Sequence, residues 1–135
     1  MPITYTDRKN FDVEKLQTLF NRGAEWAKGR PLDKLRIMVE HSVISTAWDG
    51  ERLVGFARAV TDHVYRAFIE DVVVDPDYYL QGIGTEIMNR LMTSLEAEDV
   101  PQFELWTHIP EFYERMGYCE KPNVSMVRTV GDDKE

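Results

Sequence analysis

Apolar positions recur along this chain with two different periods, and each switch of period marks a new element. Residues 2–6 alternate in the manner of a short first strand. Asp12 is suited to cap a helix, and Val13, Leu16, Leu19 and Phe20 then repeat at helical spacing. Gly29-Arg30-Pro31 breaks that pattern. A second helix is expected from about Leu32 to Glu40, with a partial apolar face of Leu32, Leu35, Ile37 and Met38. Residues 43–48 and 53–60 read as strands around Asp49-Gly50, a strong hairpin turn. Thr61-Asp62-His63 makes the next turn, and 65–74 form a long central strand. Ile83, Ile87, Leu91 and Leu95, with a second row at Met88 and Met92, predict the longest helix. A strand follows over 102–106. Pro110 opens a short helix that stops at Gly117, and 118–120 and 125–130 read as two last strands around Lys121-Pro122-Asn123. The polar tail, 131–135, is expected to fray. The order is that of a mixed α/β (α+β) domain, antiparallel early and with crossover connections later.

Length and composition narrow the class. At 135 residues the chain has the size of a single domain, and 43% hydrophobic with 30% charged residues is ordinary for a soluble globular protein. No apolar run is long enough to span a bilayer and no signal peptide opens the chain, so no membrane partner is expected. Cys119 is the single cysteine. It has no internal disulfide partner, which suits a reducing cytoplasm, and it lacks any local nucleophile motif. The formal net charge is −8 and the basic residues are scattered, which argues against nucleic acid as a partner. A negative field favours a cationic acceptor such as an amine, although it also serves solubility alone.

The most informative stretch joins the central strand to the long helix. The β-branched run Val72-Val73-Val74 stops at Asp75-Pro76. Asp77-Tyr78-Tyr79-Leu80-Gln81 forms a turn, and Gly82-Ile83-Gly84-Thr85 opens the helix. Such a junction aims unpaired N–H groups and the positive end of a helix dipole at one point, which suits a phosphate or pyrophosphate. Glycine spacing alone fits a ligand-free turn equally well. It is neither a dinucleotide fingerprint nor a P-loop.

With its context, this stretch resembles the acetyl-coenzyme A motif of the GNAT N-acetyltransferase superfamily, Q/R-x-x-G-x-G/A after a strand ending in Val-x-Pro. Phe112-Tyr113-Glu114-Arg115-Met116-Gly117-Tyr118 is similar to a second GNAT signature. The hairpin from Trp48 to Phe56 is also typical of the family, so the likeness spans about 43–130. The resemblance implies the GNAT acyl-CoA N-acyltransferase fold, a mixed central sheet flanked by helices. It implies acetyl-CoA held by Val72, Val73, Val74, Tyr79, Leu80, Gln81, Gly82, Ile83, Gly84 and Thr85. Two positions depart from the pattern: Tyr79 replaces the usual Arg or Gln, and Leu80 replaces a frequent Gly. Tyr79 cannot offer a charged donor to a pyrophosphate, and Gln81 is a neutral substitute. Most of the grip is expected from backbone N–H groups.

Transfer to an amine requires a neutral nucleophile, a donor to the carbonyl oxygen and a proton for the leaving thiolate. Glu70 and Asp71 interrupt the apolar central strand. Adjacent strand residues face opposite sides, so one carboxylate is expected at the acceptor and the other on the far face. By resemblance Tyr113 is the general acid. None of His41, His63 and His108 has metal-ligand spacing, and His108 is kept as an acceptor-side contact. Trp26, Trp48, Trp106, Tyr65, Tyr78 and Phe112 are candidates to line an aromatic pocket, against the plainer reading of core. The expected function is N-acetyl transfer from acetyl-CoA to a primary amine of a small molecule, by direct attack in a ternary complex, with room for a homodimer. The alternative is a non-catalytic acyl-CoA-binding or interaction module on the same fold.

Overall fold

The Asp12 carboxylate accepts the Glu14 N–H at 3.0 Å and starts α1 (Val13–Gly23), satisfying a donor that a helix N-terminus leaves free. This geometry comes from a computed structural model describing residues 2–131. Of the tail expected to fray, 132–135 lie outside the described residues. A tight helical turn (Glu25–Ala27) and the Gly29-Arg30-Pro31 break connect α1 to α2 (Leu32–Glu40). The strands are β1 (Thr4–Thr6), β2 (Val43–Asp49), β3 (Arg52–Thr61), β4 (Arg66–Val74) and β5 (Gln102–Leu105). They form one five-stranded sheet in sequence order. Neighbours are antiparallel up to β4, and β5 lies parallel to β4 after the crossover through α3 (Ile83–Ala97). The short α4 (Pro110–Glu114) follows β5.

The two apolar helix stripes cover opposite faces of the sheet. Leu16, Leu19 and Phe20 of α1 and Leu35 and Val39 of α2 pack on Ile44, Phe56 and Val73. Ile83, Ile87, Met88, Leu91 and Leu95 of α3 pack on Ala47, Val54, Ala57 and Ile69. Each such fully buried side chain contributes about 1.5–3 kcal/mol. Gly55 sets how closely α3 approaches, because a Cβ there would stand 2.9 Å from Ile83 Cγ2.

Two expectations fail here. Ile37 is 57% exposed rather than part of the α2 core face. More important, 118–120 and 125–130 are not strands. Apolar residues fall on both alternation phases of the second segment, and Val124, Met126, Val127 and Val130 are all exposed. β5 is four residues long and pairs only with β4 among the described residues. Without a ladder on β5, these segments would have only each other, and an isolated two-stranded hairpin is marginal in water.

Candidate active site

The central strand carries a bulge where its two acids lie. Phe56 pairs with Val73 and Arg58 with Glu70, so Ala57 alone opposes Asp71 and Val72. Asp71 has φ of 56°, a left-handed backbone that a few per cent of non-glycine residues adopt and that Asp tolerates better than most. The extra residue resets the alternation. Glu70 and Asp71 therefore both reach Arg58, at 3.4 Å to Nη2 and 2.7 Å to Nε respectively. The expectation that they face opposite sides is wrong, because strict period-two alternation does not survive a bulge.

The two carboxylates still differ sharply. Asp71's side chain is 2% exposed and takes further hydrogen bonds from Trp26 Nε1 at 2.9 Å and Arg30 Nη1 at 3.0 Å. Burial alone would push its carboxyl up, but the bonds from Arg30, Arg58 and Trp26 outweigh that and hold it below the ordinary range. Glu70's side chain is 40% exposed with one long ion pair, so it is the accessible acid.

The parallel pairing stops just before the bulge, where β5 itself ends. β5 accompanies β4 only from Arg66 to Ile69, leaving the β5-side edge from Glu70 to Val74 without a strand partner among the described residues. Val72 and Val74 thus present main-chain groups to an opening, whereas Val73 lies opposite Phe56 and turns its main-chain groups toward β3, in register with the Asp75 N–H that Val54 O accepts at 2.8 Å. At its end, Asp75 is clamped by Arg22 Nη2 and Arg52 Nη2, each at 3.0 Å, which fixes where the chain turns toward α3.

Gly82 caps α3 with φ of 79°, and no side chain caps that terminus. The first-turn N–H groups of Ile83, Gly84 and Thr85 are thus available to an anion, and Glu86 N bonds Gly82 O at 3.1 Å. A Cβ on Gly82 would meet nothing within 4 Å, so the protein leaves that space open. These features fit a pyrophosphate. Tyr79 is 56% exposed, and Leu80 is fully exposed at φ of 64°. Leu80 thus adopts a conformation that favours the glycine it replaces. Gln81 is also exposed.

A Cβ on Gly84 would stand 3.3 Å from Phe112 Cζ and 3.7 Å from Val74 Cγ2. The end of β4, the first turn of α3 and α4 therefore meet at one point, and Tyr113 follows directly. Its ring is edge-on to Phe112 and Tyr118 at 4.9 and 5.9 Å. Burial pushes its phenol up, and Tyr118, which donates to Met92 Sδ, is pushed up to about 12 by burial and by Tyr113 and Glu96. Tyr113 borders a cleft of about 1170 Å³ shared with Trp106, Tyr118, Cys119 and Met126.

The six aromatics do not converge on a pocket. Trp48 packs edge-on to Phe11, Tyr78 donates to Asp49, and Phe112 lies against Gly84. Trp26 and Trp106 are exposed, on Asp71 and Phe68 respectively, and Tyr65 is exposed. His63 bonds Glu98 at 2.6 Å, and His108 is exposed in the loop before α4. Sequence reasoning missed Arg30 and Arg58. An Arg in a helix break and one in an alternating strand carry no local signal. Only the fold brings them to one carboxylate.

Residues 12–118 match the acetyltransferase (GNAT) family. The Glycine max protein named "Probable acetyltransferase TAP2" is 33% identical over 134 residues, covering 89% of this chain and 53% of that protein. This chain thus spans about half that relative's length. A Glycine max relative named "Histone acetyltransferase TAP1" is 32% identical over 89% of this chain and 57% of its own. A Xanthomonas campestris pv. campestris structure described as belonging to the GNAT family superposes with a TM-score of 0.82 at 25% identity, covering 96% of this chain and 94% of that one. The mixed sheet with helices on both faces is the GNAT fold, and that family's donor is acetyl-CoA. From the bulged strand, the glycine-capped helix and these matches together, the chain belongs to the GNAT acetyltransferase family.

Proposed function

We propose that this chain is a single N-acetyltransferase domain that moves the acetyl group of acetyl-CoA to a primary amine of a small molecule, by direct attack in a ternary complex. One observation carries the reading: Val74, Gly84 and Phe112 meet, so an open strand edge, an uncapped helix N-terminus and a buried tyrosine border the same region. Acetyl-CoA supplies an activated thioester when bound. The N–H groups of Ile83, Gly84 and Thr85 hold its pyrophosphate, flanked by Tyr79, Leu80 and Gln81. The free edge of β4 at Val72 and Val74, either side of Val73, offers main-chain partners to the pantetheine and the acetyl oxygen. Glu70 takes the proton that the acceptor ammonium must lose, directly or through water, before its neutral nitrogen attacks the thioester carbonyl. Tyr113 gives a proton to the departing sulfur. Burial keeps that phenol protonated across the neutral range.

The net charge of −8 supports a cationic acceptor. Relatives named for histone and for serotonin acetylation supply two acceptor classes to compare. A homodimer is supported by the free edge of β5 and the exposed Val124, Met126, Val127 and Val130; sedimentation tests it. No described helix is long and apolar enough to cross a membrane, and Cys119 is a free thiol. We assign the chain to the cytoplasm on the latter, although some relatives are named chloroplastic, and fractionation decides between them. The functional test is thiol release from acetyl-CoA over a panel of arylalkylamines, polyamines and a histone-tail peptide. Saturable release with a small amine, and a raised amine KM or lost acidic limb in Glu70→Gln, is expected. Acetyl-CoA binding without turnover of any amine would establish the non-catalytic module instead.

A further inference from the structure

The cluster around Asp71 is larger than an ion pair requires. One buried carboxylate is met by an indole N–H and two guanidinium groups. Those donors come from different parts of the chain. Trp26 and Arg30 belong to the segment between α1 and α2, and Arg58 belongs to β3. Each is itself seated. Arg30 lies over the Phe20 ring at 5.4 Å and contacts Met38 Sδ at 3.6 Å. Arg58 bonds Ser42 Oγ at 3.3 Å and Glu70 at 3.4 Å. The carboxylate they share stands at the strained bulge residue, one position before the open edge at Val72. A non-glycine residue stays in such a backbone when its surroundings over-determine it. Trp26 is 61% exposed, so the same fastening leaves an aromatic surface on the side of the sheet that carries Glu70.

We propose that Asp71 is a positioning residue that locks the α1–α2 segment onto the β4 bulge, and so sets where an acceptor amine sits relative to the open β4 edge. It holds Trp26 and Arg30 in place and exchanges no proton with the acceptor. A carboxylate enclosed by two cations and an indole has no face left for an amine, whereas Glu70 beside it does. The inference rests on the acetyltransferase reading only for its kinetic consequence.

The test uses Asp71→Asn, which tolerates the left-handed backbone and keeps an acceptor oxygen but loses the charge. Amide hydrogen exchange over 24–31 should accelerate at least tenfold, and the Trp26 indole N–H resonance, identified with Trp26→Phe, should move. The acceptor KM should rise at least tenfold, kcat should change less than threefold, and the acidic limb of the rate profile should remain. Arg30→Gln, which cuts the segment's charged bond but leaves Asp71 paired with Arg58, should loosen 24–31 in the same direction; it decides the matter if Asp71→Asn does not fold. Unchanged exchange over 24–31 in both variants overturns the fastening. Loss of the acidic limb with the segment still protected makes Asp71 a proton acceptor and overturns the proposal too. The exchange and indole readouts need no turnover, so a chain that acetylates nothing would refute the functional reading and leave this one decided.

Discussion

Gly82 offers a perturbation whose two consequences can be separated. Its φ of 79° is left-handed, and a Cβ built there meets nothing within 4 Å. Gly82→Ala therefore clashes with no protein atom. Its effect on folding is confined to backbone strain, about 1–2 kcal/mol for an L-residue forced into that region. The cost to ligand binding is separate. On the proposed reading, a phosphate approaches the N–H groups of Ile83, Gly84 and Thr85 across this empty position, and the added carbon crowds it. Gly82→Ala should weaken acetyl-CoA more than tenfold, about 1.4 kcal/mol or more, and Gly82→Val further. Gly50 is the control. It has φ of 61°, an equally empty Cβ position and a place in the β2–β3 hairpin. Gly50→Ala should show a similar loss in urea unfolding and an unchanged affinity. Calorimetric titration of both variants gives the answer. An affinity within twofold of the parent in Gly82→Ala, or an equal loss in Gly50→Ala, would refute the placement of the pyrophosphate at α3.

Other outcomes follow from the same geometry. Tyr113→Phe should lower kcat by about 10² with acetyl-CoA affinity nearly intact, since only the proton donor is lost; parental turnover in steady-state assays would make Tyr113 structural. Leu80→Gly should raise stability by up to about 1 kcal/mol in urea unfolding, because relief of the left-handed strain outweighs the extra freedom of glycine in the unfolded chain. Asp71 and Asp75 are both held below the ordinary carboxylate range. Their stabilisation is complete above the unfolded value of about 3.9 and is lost as pH falls below it through the lowered folded values. Urea midpoints should therefore hold from pH 7 to 5 on account of these groups and drop below about pH 4, with a shallower drop in Asp75→Asn.

The helices and the glycine junction were legible because their information is local. Val13, Leu16, Leu19 and Phe20 declare one face, and Gly82 and Gly84 bracket a helix start. The bulge was not legible. Residues 65–74 read as a strand to the end, and nothing in Glu70-Asp71 announces a left-handed residue, because the reason for it is tertiary: Arg30, Arg58 and Trp26 converge there from positions distant in sequence. That bulge turned both acids to one face, just before the edge that β5 leaves open. Residues 118–120 and 125–130 failed as strands for the complementary reason. The Val127, Thr129 and Val130 side chains express a local preference, whereas a strand exists only when a neighbour supplies the ladder.

The most direct test of the account is an amide nitrogen–proton correlation spectrum of the chain, titrated with acetyl-CoA. The largest shifts should fall on the N–H groups of Val72, Val73, Val74, Ile83, Gly84 and Thr85, with a smaller set on Phe112 and Tyr113. Shifts centred instead on the groove between β1 and α3, around Tyr5, Ser45 and Arg90, with those amides unmoved, would contradict it.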